Sequence, residues 1–454
     1  MRGTDRKSAG SAGPAGRVRR YVGLTAAIAV GLLVAACGPA HHTGAAAQGN
    51  DGASASARAS AALASDLKIT PSNGSIGVNP AAGITVTATS GKVTNVTVKT
   101  SGDPVTGTLS DGDQTWHSQW ALNTGKTYTV TATGTADGQT VTRTSAFSTL
   151  TPSQTFQTEI YEGSNQTYGV GMPIMLIFSQ PITNRAAVER SLELTTSNPV
   201  IGSWYWDDSE HLDFRPRDYW PANTTVSFFG HLNGVEGAPG VYGTADLTQT
   251  FDIGQSVIAV ASTTTHYTQI YIGGKLTYNW PISTGRPSLP TPDGSYVTVE
   301  KNNPVDMIGG GAPGSPGYYN ELVYWAVRFT FSGDYYHSAP WSVVDQGTTN
   351  VSHGCVNLPP NDAETYYNLA VPGDPITITA STAAGKWDDG WTEWFLSWSQ
   401  YLKGSALGEA VEAGPQGSTF VNPSTLPPDT ATAPLGTAEP GNFAAGTPNI
   451  ASVG

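Results

Sequence analysis

Short runs of β-branched residues at period two fill the stretch from residue 67 to residue 150 and constrain the fold more than any other feature. In the segments 84–88, 93–98 and 128–132, apolar and polar side chains alternate, and glycine, asparagine or aspartate separates one segment from the next. Alternation at period two places one set of side chains on each face of a sheet. Strands at this spacing predict a small antiparallel sandwich over residues 67–150.

Residues 151–253 predict a second sandwich, and we expect both to be immunoglobulin-like. An apolar run at 172–178 predicts a buried strand, and residues 182–190 predict a short helix. Four charged residues stand close together near the middle of this domain. We expect them to form a solvated, mutually paired surface; they are Asp213, Arg215, Arg217 and Asp218.

The chain contains only two cysteines, and Cys355 lies close to two histidines. The other cysteine, Cys37, ends an N-terminal apolar segment, so no intramolecular disulfide framework is expected around Cys355. A thiol attacks a carbonyl as its thiolate, and His337 or His353 is placed to take the proton. Backbone N–H groups near Gly354 and Cys355 are candidates for an oxyanion hole. A buried structural cysteine packed by histidines is the alternative.

The stretch 337–357 resembles the signature of the L,D-transpeptidases, the YkuD family. It reads His-Ser-Ala-Pro-Trp, then a spacer, then Ser-His-Gly-Cys-Val-Asn. The resemblance implies that Cys355 is the acylated nucleophile, that His337 is its base, and that the backbone carbonyl of Ser338 orients the imidazole. It further implies a set of residues that shape the oxyanion and substrate pocket, namely Trp341, His353, Gly354 and Asn357.

Residues 254–380 are predicted to form the catalytic domain. Gly273 and Gly274 predict a hairpin turn between two strands, and a Gly/Pro-rich stretch at 304–317 predicts a mobile lid over the donor substrate. By resemblance, Met307 and Tyr319 contact the substrate from this lid. Tyr318 replaces Tyr319 if the alignment shifts by one residue. Packing of the lid itself is the alternative role for these side chains.

The N-terminus resembles an export signal. Basic residues up to Arg20 precede an apolar run at 21–36, which is too short for a comfortable membrane span. The run closes with Val-Ala-Ala-Cys-Gly, which resembles a bacterial lipobox and implies that residues 1–36 are a signal peptide and that Cys37 is lipidated. An ordinary signal peptide and an uncleaved anchor are the alternatives. Residues 37–66 are expected to form a flexible tether, which places the domains outside the cytoplasm, held to the membrane and reaching into the cell wall.

Aromatic residues recur at spacings of three and four within residues 381–411, which predicts an amphipathic helix. These residues are Trp387, Trp391, Trp394, Phe395 and Trp398. We expect the segment to dock on the catalytic domain, with a carbohydrate-stacking platform as the alternative. Proline, threonine, alanine and glycine dominate residues 412–454, which predicts a disordered tail.

The predicted fold class is mainly β: two immunoglobulin-like sandwiches, then a β-rich YkuD-type catalytic domain with a short helix and a C-terminal helical segment. The net charge of −13 argues against a nucleic-acid partner. Two cysteines and eight histidines show no zinc-ligand spacing, so we expect neither a metal nor another cofactor.

The resemblance implies a peptidoglycan L,D-transpeptidase whose partners are donor and acceptor stem peptides. Such an enzyme forms 3→3 cross-links between diaminopimelate-type residues through a cysteine acyl-enzyme, releases D-alanine, and is acylated by carbapenem-type β-lactams. An L,D-carboxypeptidase and a protein-to-peptidoglycan anchoring transferase share this catalytic site. A non-catalytic wall-binding lipoprotein is the further alternative. The intact set of motif residues argues against that last alternative.

Overall fold

The computed structural model describes residues 67–136, 139–315 and 318–427. The predicted signal peptide, the tether with Cys37, and residues 428–454 of the predicted tail lie outside the described residues. Within the described residues the chain is mainly β, which confirms the predicted fold class. None of the helices in this part of the chain is both long enough and apolar enough to cross a bilayer.

The first domain is a two-sheet sandwich. Sheet order is β1-β2-β5-β4 in one layer and β3-β6-β7 in the other. Buried side chains from both layers, among them Val86, Trp116 and Tyr128, fill the space between them. The strands are β1 (Leu67–Thr70), β2 (Thr85–Ala88), β3 (Lys92–Thr100), β4 (Gly107–Ser110), β5 (Thr115–Ser118), β6 (Thr127–Ala136) and β7 (Gln139–Ser148), with a 3-10 turn at Pro80–Ala82.

The second domain is also built from antiparallel layers. Strands β12, β15 and β18 pair in one layer, and β9, β11, β14 and β13 pair in the other. The elements are β8 (Gln154–Phe156), β9 (Thr158–Ile160), β10 (Thr167–Tyr168), β11 (Ile174–Phe178), α1 (Arg185–Glu189), β12 (Leu192–Thr196), β13 (Val200–Trp206), β14 (His211–Pro216), β15 (Thr224–Gly230), β16 (Glu236–Ala238), β17 (Val241–Gly243) and β18 (Leu247–Ile253).

The third domain, which is the predicted catalytic domain, has two sheets and a separate hairpin. The first sheet has the order β21-β20-β19-β29-β22, the second has the order β23-β26-β27-β28, and β24 pairs with β25. The elements are β19 (Val257–Ser262), β20 (Tyr267–Ile272), β21 (Lys275–Pro281), β22 (Gly294–Val297), β23 (Glu300–Asn302), β24 (Val305–Gly309), β25 (Tyr319–Val323), β26 (Ala326–Arg328), β27 (Tyr335–Ser338), a 3-10 turn (Pro340–Ser342), β28 (Val356–Leu358), α2 (Pro360–Leu369) and β29 (Pro375–Thr379).

The predicted hairpin turn joins β20 to β21. Gly273 and Gly274 have φ angles of 57° and 77°. Two consecutive positive φ angles match the twist of the flanking strands, and glycine adopts them without steric cost.

The aromatic segment after the catalytic domain is not one amphipathic helix. It contains 3-10 turns at Glu393–Phe395 and Leu402–Gly404 and the short helix α3 (Trp398–Tyr401), and a capping box at Ser397 starts α3. Trp391 and Trp394 belong to the core of the second domain, whereas Phe395 packs in the catalytic core against Tyr296. The aromatic spacing therefore reflects burial against two domains rather than one face docked on the catalytic domain.

The predicted disordered tail is wrong for its first part. Residues Ala410–Gly414 form β30 and Gly417–Val421 form β31, and a 3-10 turn follows at Pro423–Thr425. Strand β30 pairs with β13 of the second domain, with Val200 opposite Ala413. The hairpin extends an existing sheet edge, so backbone pairing and three buried side chains, Ala410, Val411 and Ala413, order a segment of low hydrophobicity.

The predicted solvated surface around Arg215 is wrong as well. Arg215 is 1% exposed, and its Nη2 donates a hydrogen bond to the Leu396 carbonyl at 2.9 Å. The guanidinium lies 4.4 Å from the ring centre of Trp394 and 4.5 Å from that of Tyr401. The C-terminal segment covers this part of β14, so the charge is stabilised by carbonyl and aromatic contacts rather than by water. Arg217 and Asp218 do form an ion pair, at 3.3 Å.

Candidate active site

A parallel pair of strands brings the two ends of the sequence motif together. Strand β27 carries His337 and pairs with β28, so that His337 lies opposite Asn357. Cys355 directly precedes β28. The long spacer between the motif halves is the crossover that a parallel pair requires. The upstream histidine and the cysteine therefore reach the same edge of the sheet.

The orientation of His337 is fixed by its neighbour. Its Nδ1 lies 2.9 Å from the backbone oxygen of Ser338. A carbonyl only accepts, so Nδ1 carries the proton and Nε2 keeps its lone pair. Burial lowers the pKa of His337 to about 4. The imidazole is therefore neutral at physiological pH and able to accept a proton.

The Cys355 sulfur lies in a partly buried position beneath the hairpin of β24 and β25. It is 4.0 Å from the sulfur of Met307 and 3.8 Å from the backbone oxygen of Gly333. Burial, and to a smaller extent the Asp334 carboxylate, raise the pKa of Cys355 to about 12. Thiol and imidazole are thus both uncharged in the resting site. Among the described contacts there is no hydrogen bond between Cys355 and His337.

Asp334 is a site residue that the sequence motif does not reveal. Burial raises the pKa of its carboxyl to about 6, with a contribution from the negative charge of Asp389. Its Oδ1 would clash with a Cβ on Gly354. Gly354 also has a φ of +142°. The motif glycine is therefore needed both for its backbone conformation and for the close approach of this carboxylate.

The C-terminal segment supports the turn that carries Gly333 and Asp334. Asp389 accepts hydrogen bonds from the backbone N–H of Ser332 at 2.5 Å and from its hydroxyl at 2.6 Å. Within the turn, the Asp334 N–H donates to the Thr330 hydroxyl at 2.7 Å. The wall of the site next to Cys355 is thus held from outside the motif.

The backbone donors around Cys355 are not equivalent. The Gly354 N–H donates to the Ser352 hydroxyl at 3.2 Å, and that hydroxyl donates to the Cys355 carbonyl at 2.6 Å. The N–H of Cys355 has no backbone acceptor among the described loop contacts. Of the two amides predicted for an oxyanion hole, that of Gly354 is occupied by Ser352, and that of Cys355 has no backbone acceptor among these contacts.

The hairpin of β24 and β25 covers the cysteine, as a lid would. Met307 on β24 contacts the sulfur directly, and Tyr319 begins β25. The Tyr319 ring stacks on His353 with centroids 4.6 Å apart and planes at 27°. Tyr318 makes a backbone hydrogen bond to Ser315 within the loop. The structure therefore places Tyr319, rather than Tyr318, over the motif.

Asn357 and Trp341 are linked through the 3-10 turn that follows His337. Asn357 is 3% exposed, and its side-chain amide donates to the Ser342 hydroxyl at 3.0 Å. It thereby supports the turn that carries Trp341. Trp341 is 52% exposed, and its ring centre is 6.0 Å from that of His337. Trp341 offers an accessible aromatic surface at the site, whereas Asn357 is occupied in holding the turn.

His353 is partnered by Arg286, which the sequence analysis did not identify. The Arg286 Nη1 lies 2.9 Å from the His353 Nε2. An arginine cannot accept a hydrogen bond, so this ring nitrogen is the acceptor. Burial, and then the positive charge of Arg286, lower the pKa of His353. His353 is therefore neutral and already committed to a contact, which leaves His337 as the base candidate. The described residues contain no group of three or more His, Cys, Asp or Glu side chains arranged to hold a metal ion.

Comparison with known proteins shows which family this chain resembles. A family model described as "Bacterial Ig domain" matches residues 75–236, and one described as "L,D-transpeptidase catalytic domain", YkuD, matches residues 256–378. L,D-transpeptidase 2 of Mycobacterium tuberculosis is 33% identical over 350 residues, which cover 76% of this chain and 86% of that protein. L,D-transpeptidase 5 of the same species is 32% identical over 353 residues, covering 75% and 77%. A solved L,D-transpeptidase in complex with imipenem is 36% identical, covers 50% of this chain and 100% of that chain, and superposes with a TM-score of 0.43.

Proposed function

The chain belongs to the L,D-transpeptidase family, and from this premise we propose that it cross-links peptidoglycan stem peptides by ping-pong acyl transfer through Cys355. The observation that carries the proposal is a neutral imidazole on β27 and a neutral thiol directly before β28, the strand that pairs with β27 in parallel. The Ser338 carbonyl holds the imidazole in the tautomer that can accept a proton. The acyl donor would be a tetrapeptide stem, and the acceptor would be the side-chain amine of another stem.

In the first half-reaction, Cys355 attacks the carbonyl of the third, diaminopimelate-type residue of the donor. His337 takes the thiol proton as the S–C bond forms, so no free thiolate has to exist beforehand. The backbone N–H of Cys355 would donate to the oxyanion, and one such donor is worth about 3–4 kcal/mol. Collapse of the intermediate breaks the amide bond, and the leaving D-alanine nitrogen receives the proton from His337.

In the second half-reaction, the acceptor amine attacks the thioester and His337 accepts one of its protons. Collapse restores the Cys355 thiol with that proton and leaves a new amide, the 3→3 cross-link. Met307, Tyr319 and Trp341 surround this reaction volume and would position the two stems. Water in place of the amine would give a carboxypeptidase, and a protein amine would give an anchoring transferase.

Carbapenems would acylate the same sulfur by opening of the β-lactam ring. The same addition step applies, because His337 accepts the thiol proton and the ring nitrogen takes it on ring opening. The lactam nitrogen stays attached to the acyl group, so the adduct persists where a peptide leaving group would depart. A carbapenem is therefore a probe of the first half-reaction alone.

Intact mass spectrometry tests the proposal. The protein is incubated with a tetrapeptide stem or with a carbapenem, beside Cys355→Ala. We expect an adduct on the wild type that is absent from the variant, and cross-linked dimers once an acceptor stem is present. Decay of the adduct only to tripeptide would assign a carboxypeptidase. No adduct with either reagent would leave a non-catalytic wall-binding protein.

We further propose that the protein is exported and held to the membrane by lipid on Cys37. The basic and apolar residues before Cys37 and the small residues around it support this. Metabolic labelling with a fatty acid, followed by fractionation, tests it against Cys37→Ala. The proposal requires label in the wild type, and no label with release from the membrane fraction in the variant.

A further inference from the structure

A short segment after β21 is fastened to the catalytic motif from the side opposite β27. Gly285 forms a bridge with Ser352, and the Arg286 N–H donates to the Ser352 carbonyl at 3.0 Å. The Thr291 hydroxyl ties the Gly285 N–H, at 2.9 Å, to the carbonyl of Gly354. The backbone of Arg286 is therefore fixed relative to Cys355, although the two residues are far apart in sequence.

The guanidinium of Arg286 is oriented but only partly used. Its Nη1 donates to His353 and its Nε donates to the Ser288 hydroxyl at 3.1 Å. A guanidinium has five N–H groups, so three of them have no acceptor among the described residues. They include both groups on Nη2, and together with the second N–H of Nη1 they form the fork that binds a carboxylate bidentately.

The charge of Arg286 has no counterion within the described residues. The described ion pairs occupy other arginines, such as Arg328 with Glu300, and none includes Arg286. Glu321, on the lid strand, acts electrostatically on His353 and Tyr319, as Arg286 does, but forms no described ion pair with Arg286. An oriented arginine with a free fork beside a substrate site fits an anionic group of the ligand.

The surroundings show where that ligand would lie. His353 is two residues from Cys355 and is covered by Tyr319, so Arg286, His353 and Tyr319 form one row at the edge of the site. A donor whose scissile carbonyl is at the Cys355 sulfur extends about one residue to reach this row. The terminal carboxylate of the leaving D-alanine lies at about that distance. The side-chain carboxylate of the third residue lies at the far end of its side chain, about two residues away.

We propose that Arg286 is a specificity residue that binds a carboxylate of the donor stem adjacent to the scissile amide. The proposal rests on the proposed function and deepens it. Arg286 would select donors that carry this carboxylate and would hold them through the fork. His353 would act as a positioning residue, because it anchors Nη1 and leaves Nη2 without a described partner. Neutral isosteres of the donor, with a carboxamide at the same place, would bind to the same pocket without this contact.

The test pairs a change in the enzyme with a change in the donor. Three donors are compared: the free tetrapeptide, the tetrapeptide with a terminal carboxamide, and the tetrapeptide with a carboxamide on the third residue. The enzymes are wild type, Arg286→Gln, Arg286→Lys, and the control Lys275→Gln. Lys275 lies on the exposed hairpin of β20 and β21, so its variant removes the same charge away from the site. The readout is the second-order rate constant of acylation by mass spectrometry.

We expect the wild type and Lys275→Gln to acylate the free tetrapeptide at least about tenfold faster than one of the carboxamides. In Arg286→Gln this preference falls to within about twofold, because acylation by the free tetrapeptide slows more than acylation by that carboxamide. Arg286→Lys retains the charge without the fork and keeps part of the preference. The carboxamide that the wild type acylates more slowly than the free tetrapeptide identifies which carboxylate is bound. Equal slowing of all three donors, or an unchanged preference in Arg286→Gln, overturns the proposal.

A binding measurement separates this proposal from the catalytic one. On the Cys355→Ala background, calorimetry compares the three donors with and without Arg286→Gln. Tighter binding of the free tetrapeptide that disappears with Arg286→Gln supports the carboxylate site even if the wild type forms no acyl-enzyme. Equal affinities for the acid and both carboxamides overturn it even if acylation occurs. Circular dichroism and thermal melting verify that each Arg286 variant is folded.

Discussion

The substitution Asp334→Asn tests whether a carboxylate next to Cys355 suppresses its thiolate. Gly333 contacts the Cys355 sulfur and Asp334 contacts Gly354. The adjacent residues Gly333 and Asp334 therefore face the adjacent residues Gly354 and Cys355. Asparagine has nearly the same shape, and its side-chain oxygen can still accept the hydrogen bond from Thr330. The variant therefore removes one negative charge with little change in packing.

The size of the effect follows from Coulomb's law. For unit charges on the order of 8 Å apart and an effective dielectric constant of about 20, the repulsion is about 2 kcal/mol. Solvent and counterions at a partly open site reduce this to about 1.4 kcal/mol, or about one pKa unit. Because the charge raises the pKa of Cys355, its removal increases the thiolate fraction about tenfold at a fixed pH.

The direction of the change in alkylation rate and the pH range in which it occurs both follow from the pKa of the Asp334 carboxyl. The pKa of Asp334 is raised to about 6, so the group is charged above that pH and neutral below it. The variant and the wild type should therefore react alike well below pH 6, and the variant should react about tenfold faster well above pH 6. Iodoacetamide alkylation, followed on the peptide that contains Cys355, measures this ratio. In both proteins the rate should keep rising with pH through the neutral range, because the thiol pKa is near 12.

Glu321→Gln is the matched control, because Glu321 acts on His353 and Tyr319 and is not among the groups that shift the Cys355 pKa. Its alkylation ratio to wild type should stay near one at every pH. A ratio for Asp334→Asn that does not change with pH would refute the electrostatic reasoning. A plateau of the wild-type rate below neutral pH would instead reveal a preformed thiolate–imidazolium pair.

Three further predictions concern packing and the backbone. Trp394→Ala should lower the free energy of unfolding by about 3–5 kcal/mol in urea, because it empties a core position and removes the hydrogen bond to the Gly171 carbonyl; a loss below about 1 kcal/mol would contradict the buried placement. Gly354→Ala should slow carbapenem acylation by tenfold or more while the melting temperature falls by only a few degrees, since the new Cβ meets the Asp334 carboxylate at the site; unchanged acylation would disprove this contact. A chain ending at residue 409 should melt several degrees below one ending at residue 427, because β13 loses its partner β30; equal melting would show that the hairpin adds no stability.

The sequence by itself determined where strands form and that two sandwiches precede a catalytic domain. It also determined the catalytic motif. These features are local: alternation at period two is read within one strand, and the motif residues are close in the chain. The parallel pairing of β27 and β28 uses the long spacer between the motif halves as its crossover. For this reason Cys355 and His337 could be selected before any contact was known.

Only the tertiary structure decided what covers each side chain. Arginine is usually a surface residue, yet Arg215 is buried by the C-terminal segment, which lies about 180 residues further along the chain. Strand β30 has little hydrophobicity of its own, and the free edge of β13 orders it. Asp334 and Arg286 gain their places at the site through contacts with Gly354 and His353 across different elements. Burial and electrostatic environment depend on such distant partners, and no local pattern in the sequence encodes them.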